Sequence, residues 1–124
     1  MIRGGVATVY VSDMSRAVTF YTEALGLRLM DRWGDEWASI DAGNGLTLGL
    51  HPASERAPKP GTSGSISVGF SVTRGLEEVV ATLESRGVTF RGPVKEDADG
   101  GVRLAFFGDP DGNDLYLCEI TKSW

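Results

Sequence analysis

Apolar residues recur along the chain with two periods, and the same succession of periods occurs twice. Val6–Val11 reads as extended. Asp13 then supplies an N-cap, and Met14, Ala17, Val18, Tyr21 and Leu25 fall at helical spacing up to Gly26, a left-handed stop. Residues 67–72 read as extended again, with Thr73 as the expected cap. Leu76, Val79, Val80 and Leu83 repeat the i, i+3, i+4, i+7 stripe, Glu77 and Glu78 suit the positive end of the helix, and Gly87 closes it. Val11 and Val72 are 61 residues apart, as are Gly26 and Gly87, which predicts one unit used twice in a chain of 124 residues. The plainer alternative is two unrelated amphipathic helices that both end in glycine.

After each helix the period shortens to that of strands. In the first half strands are expected over 27–33, 37–42 and 46–50, with Gly34-Asp35 and Gly43-Asn44-Gly45 as turns. In the second half they are expected over 89–95, 101–107 and 113–121, with DPDGN at 109–113 as a tight turn. Each half is then β-α-β-β-β. The expected fold class is α+β: one domain of two βαβββ modules, about 1–52 and 65–124, with curved mixed sheets forming a cleft. Residues 51–64, HPASERAPKPGTSG, hold three of the five prolines and little apolar content. Within them, 53–64 reads as a connector, or as a lid.

Strand parity indicates what the sheets face. Ile66, Val68, Phe70 and Val72 form an apolar row against Ser67, Gly69 and Ser71, and Leu46, Leu48 and Leu50 form one against Thr47, Gly49 and His51. The apolar rows must cover the helices. The opposite rows are too small to fill a core, so they line either a cavity or a solvated surface.

Composition narrows the function. A net charge of −5 and a pI near 4.8 disfavour nucleic acid and anionic membranes, which require clustered Lys and Arg. No apolar run reaches the length of a membrane span, so no membrane partner is expected. The single cysteine, Cys118, cannot form an intrachain disulfide, and no charged-then-apolar segment precedes the first strand. The cytoplasm is the expected location.

The run VSDMSRAVTFYTEALGL, the mid-chain LTLGLHPA, GFSV followed by a helix ending in SRGV, and the closing FFGDPDGNDLYL resemble the glyoxalase, bleomycin-resistance and extradiol-dioxygenase superfamily, the vicinal oxygen chelate proteins. Order and spacing carry the likeness over nearly the whole chain. The resemblance implies paired βαβββ modules curving around a cleft, usually in a dimer. Its catalytic members hold a divalent metal with His, Gln or Glu from the first and last strands of each module. Those four places fall here on Val6, Gly49, Ser67 and Tyr116, which offer at most two weak oxygen donors. Admitting His51 and Asp114 from the same strand faces gives two ligands where a catalytic site normally has at least three. No metal and no other cofactor is expected.

Several residues carry candidate chemistry. His51, the one histidine, is a polar contact or base at a strand end, or a surface residue at a loop start. Trp33 and Trp37 flank a Gly-Asp-Glu turn and provide either half-buried packing or a stacking surface for a flat ligand. Tyr116 should project from its strand face to bond a ligand, or fill vacated space. Thr8 and Tyr10 are candidate wall residues. Cys118 reads as a small buried hydrophobe, and Asp109 and Asp111 as turn formers. With Gly49, Ser67 and Gly69, the expected ligand contacts are Trp33, Trp37, His51 and Tyr116, and no catalytic residue is assigned. The leading expectation is a metal-independent protein of the bleomycin-resistance type, homodimeric by its small open modules, that sequesters an apolar or aromatic small molecule. The alternatives are a glyoxalase- or dioxygenase-like lyase or oxidoreductase with an atypical or absent metal site, and an interaction module without a small ligand.

Overall fold

Alternation of apolar with small or polar residues builds two four-stranded sheets of the same topology. The computed structural model describes residues 1, 6–55, 59–62, 66–73, 75–96 and 101–120. In the first sheet β1 (Val6–Val11), β2 (Arg28–Trp33), β3 (Trp37–Asp41) and β4 (Thr47–Pro52) lie in the order β1-β4-β3-β2, with β1 parallel to β4 and the other pairs antiparallel. In the second, β5 (Ser67–Ser71), β6 (Lys95–Glu96), β7 (Val102–Gly108) and β8 (Asp114–Ile120) lie in the order β5-β8-β7-β6, with β5 parallel to β8. Thr8 stands opposite Gly49 in one and Gly69 opposite Tyr116 in the other, so first-strand positions 61 residues apart occupy equivalent rungs. The fold is α+β, consistent with two βαβββ modules. The chain divides into two compact units, Met1–Ile66 with Asp109–Asn113, and Ser67–Gly108 with Asp114–Trp124.

In the first unit Asp13 caps α1 (Met14–Thr19) as expected, its carboxylate accepting the Arg16 N–H at 3.0 Å. The helix then widens into a π turn over Phe20–Ala24, where the Leu25 N–H reaches the Phe20 carbonyl at 3.1 Å. The Thr22 hydroxyl donates to the Val18 carbonyl one turn back at 2.7 Å. Gly26, at φ +74, ends the helix. Met14, Ala17, Val18 and Tyr21 bury one helix face, and Val9, Val11, Ile40, Leu48 and Leu50 bury one face of the sheet. At about 2 kcal/mol for each large side chain removed from water, this burial outweighs any surface ion pair in the unit.

A polar cluster is enclosed in the same unit. Asp109 and Asn113 are buried, and the Asp109 carboxylate accepts four bonds: from the Asp111 and Asn113 backbone at 3.0 and 2.9 Å, from Asn113 Nδ2 at 2.9 Å, and from the Tyr21 hydroxyl at 2.9 Å. Asn113 also donates to the Tyr10 carbonyl at 3.0 Å and accepts the Gly61 N–H at 2.9 Å. Gly61 must be glycine, since it sits at φ +80 and a Cβ would lie 1.8 Å from the Asp111 carbonyl oxygen. DPDGN is thus a turn, as its composition implies, and also a polar bracket on β1, the π turn and residue 61.

The second unit departs from expectation at its helix start. The N-cap of α2 (Leu76–Ser85) is Gly75, not Thr73, and no side chain of the cap bonds the helix. Glu119 of β8 does so instead, accepting the Leu76 N–H at 3.0 Å. Arg103 of β7 holds that carboxylate at 3.0 Å, chelates Glu77, and brings Nε to 3.4 Å from Glu96. The last contact is Coulombic, because Nε makes no hydrogen bond. The Arg103 bond lowers the Glu77 pKa, and that same bond raises the pKa of Arg103. A long-range carboxylate already positioned by arginine thus replaces the local hydroxyl cap.

The strand expected over 89–95 contracts to β6 and an isolated bridge between Phe90 and Phe107. Gly92, at φ +89, and Pro93, which has no N–H, break the ladder between them. Conversely, β4 extends through His51 and Pro52, because β1 continues beside it, pairing Tyr10 with His51 and Val11 with Pro52. The lid reading of 53–64 falls partly on residues 56–58 and 63–64, which lie outside the described residues.

Burial, reinforced by the Asp109 charge, raises the Tyr21 pKa well above its ordinary value. An unfolded tyrosine ionises near pH 10, so the stability contributed by neutral Tyr21 is complete below about pH 10 and is lost as the pH rises toward the folded-state pKa. Tyr21→Phe should lower unfolding free energy by about 1–2 kcal/mol at neutral pH and flatten this alkaline decline; urea titrations across that range check both.

Candidate functional site

The sheet faces turned away from the helices carry the candidate chemistry, and each unit is described separately. In the first, ladder pairing sets Thr8 beside Gly49, Gly49 beside Ser39, and Tyr10 beside His51. The Trp37 indole lies across Gly49: a Cβ there would stand 2.1 Å from Trp37 Cη2. The ring is fixed by its Nε1–H, which donates to Ser39 Oγ at 2.7 Å. His51 meets Tyr10 edge-on at 5.5 Å between centroids and Trp37 at 6.4 Å. Its Nδ1 lies 2.8 Å from the Pro52 carbonyl oxygen. Trp33 pairs with Trp37 across the hairpin and is 68% exposed.

In the second unit Gly69 stands opposite Tyr116, and a Cβ on Gly69 would lie 2.3 Å from Tyr116 Cζ. Phe106 packs beside Tyr116 at 5.7 Å, and the Lys95 ammonium sits 5.5 Å from the Phe106 centroid. Ser67 and Ser71, on either side of Gly69, are exposed. Cys118 is a free, partly exposed thiol. Asp114 is engaged by Arg91 at 2.5 Å.

Small residues were expected to leave these faces open. Instead each glycine admits a ring: Gly49 is buried under Trp37, and Gly69 lies under Tyr116. Trp37, Gly49 and His51 are brought together, with Trp33 at the end of the same ladder; Ser67, Gly69 and Tyr116 share the other face. Ser39, Phe106 and Lys95 were not foreseen. Ser39 was accessible to parity, two residues from Trp37. Phe106 was not, because Leu104 and Phe106 alternate with Ala105 and Phe107, so both faces of β7 read as apolar.

The positions where the resemblance implies metal ligands can be tested on the donors present. Val6 offers hydrocarbon, Gly49 no side chain, Ser67 a neutral hydroxyl and Tyr116 a phenol. Trp37 also covers Gly49. Among the described residues no three His, Cys, Asp or Glu side chains gather where a metal could be held. This donor set does not fit a divalent cation.

Residues 5–117 match the family described as the Glyoxalase/Bleomycin resistance protein/Dioxygenase superfamily. The chain is 33% identical over 119 residues to the glutathione transferase FosA of Serratia marcescens, covering 89% of this chain and 75% of the relative. Among solved structures it is similar to TnmS3, an antibiotic binding protein from Streptomyces sp. CB03234, with a TM-score of 0.79, 29% identity and 98% of each chain covered. It is also similar to a superfamily member from Sphaerobacter thermophilus, with a TM-score of 0.78, 32% identity, and 96% of this chain and 98% of that one covered.

Gly49→Ala should force the Trp37 ring off the sheet and break its bond to Ser39. The expected cost is about 1–3 kcal/mol, as for other overpacked sites, with a shift in tryptophan emission that Trp37→Phe abolishes.

Proposed function

Because the chain belongs to the Glyoxalase/Bleomycin resistance protein/Dioxygenase superfamily but carries Val6, Gly49, Ser67 and Tyr116 where that superfamily's enzymes place metal ligands, we propose that it binds a flat, largely apolar small molecule without transforming it. The observation that carries this reading is the Trp37 indole, seated on Gly49 and pinned by Ser39. A fixed, partly exposed indole gives a ligand large contact area at small entropic cost. The proposed contacts are Trp33, Trp37, Gly49 and His51 on the first face and Ser67, Gly69 and Tyr116 on the second. The likeness to an antibiotic binding protein supports sequestration as the role.

The 33% identity to a glutathione transferase favours a second reading, group transfer to a small substrate. It would need a different means of activating the substrate from a metal held at the four family positions.

Thermal-shift screening against planar drugs and metabolites should yield compounds that raise the melting temperature. Titrated against wild type, Trp37→Ala, Trp33→Ala and Tyr116→Phe, such a compound should lose roughly fivefold or more in affinity in at least one variant, since a stacking partner is worth about 1 kcal/mol. Unchanged affinity in all three removes this site.

We further propose that the chain forms a homodimer and carries no resident metal. Native mass spectrometry should give twice the 13.3 kDa chain mass without a metal adduct. About one Zn, Fe, Ni or Mn per chain, retained after mild chelation, would favour the enzymatic reading.

A further inference from the structure

The structure assigns the neutral His51 ring one tautomer and with it a ligand preference: we infer that His51 is the polar anchor of the first face and selects flat aromatic ligands that carry a hydroxyl, accepting a hydrogen bond from it at Nε2. This rests on the reading of that face as a ligand site. The Pro52 carbonyl oxygen, 2.8 Å from His51 Nδ1, can only accept a hydrogen bond, so Nδ1 bears the proton. A neutral imidazole carries one N–H, which leaves the lone pair on Nε2.

That nitrogen is unclaimed. No hydrogen bond from Nε2 to a described residue is found, and it is not sealed from solvent either, because the one enclosed and unpartnered side-chain polar atom among the described residues is Arg103 Nε. The ring is also held in place. Its Nδ1 bond fixes one edge, and Tyr10 and Trp37 meet it edge-on on β1 and β3, the strands flanking β4. A ligand stacked on Trp37 has the fixed His51 ring beside it, 6.4 Å from the indole between centroids. A ring hydroxyl satisfies the Nε2 lone pair, whereas an ether or a quinone oxygen brings a second lone pair against the first.

Calorimetric titration with β-naphthol and its methyl ether, in mildly alkaline buffer, tests the assignment. Wild type should prefer the naphthol roughly tenfold, the value of one well-formed hydrogen bond. In His51→Phe, which keeps a ring between Tyr10 and Trp37, that preference should vanish. Equal binding of the two compounds by wild type, or a preference that survives in His51→Phe, overturns the role of His51 and leaves aromatic binding standing. If neither compound binds, both readings fall. Nitrogen-15 NMR of the unliganded protein gives a measurement that needs no variant: the imidazole should show a protonated Nδ1 and a bare Nε2, and the opposite tautomer overturns the inference by itself.

Discussion

The first unit depends on satisfying one buried carboxylate. An enclosed Asp109 without partners would cost several kcal/mol, and its four donors come from the turn that carries it and from Tyr21 on the π turn. Asn113 passes the constraint to the backbone of β1 at Tyr10 and to Gly61. Each bond contributes only about 1 kcal/mol net. Losing a donor, however, leaves part of a charge stranded, so the helix, first strand and turn are stable in one mutual arrangement. The apolar core supplies most of the favourable energy but does not distinguish neighbouring registers of chain; this cluster does.

Much of the fold was legible because it is written in periodicity. Two stripes, two left-handed glycines and alternating strands led to two β-α-β-β-β halves with mixed sheets; the order of strands within each sheet did not follow from them. The misses occurred where a distant residue replaced a local signal or a local breaker outweighed apolar content. Thr73 has the right chemistry for a cap, but Glu119, held by Arg103, takes the Leu76 N–H across 43 positions of sequence. Residues 89–95 have apolar content suited to a strand, but Gly92 and Pro93 deny the ladder its bonds. At the site, parity grouped Gly49 with His51 and Ser67 with Gly69 correctly. It could not say that glycine's missing side chain is filled by a neighbour's ring, since that depends on how a long side chain lies across the sheet.

The two halves solve the same packing problem in opposite ways. On the equivalent rung, the first half has Thr8 facing Gly49 and the second has Gly69 facing Tyr116. The glycine has moved from the last strand to the first. In the second half the covering ring comes from directly opposite; in the first it comes from β3, two residues from Ser39, which faces Gly49. The faces are alike in architecture and unlike in chemistry: an indole with an imidazole on one, a phenol with Phe106 and a cation on the other.

The π turn bears on how the two halves differ in length. The apolar stripes Met14, Ala17, Val18, Tyr21 and Leu76, Val79, Val80, Leu83 correspond at a spacing of 62 residues, whereas the terminating glycines correspond at 61. The first helix must therefore hold one more residue than the second between the same landmarks, and the widened turn at Phe20–Ala24 is where it goes. An insertion in one half is balanced by a longer approach to the helix in the other. The return to a 61-residue spacing at the two glycines is thus the sum of two cancelling length changes, and an ungapped alignment of the halves would mismatch the helix cores by one position. A single-residue difference in length is absorbed as local helix geometry, with the Tyr21 hydroxyl within reach of Asp109.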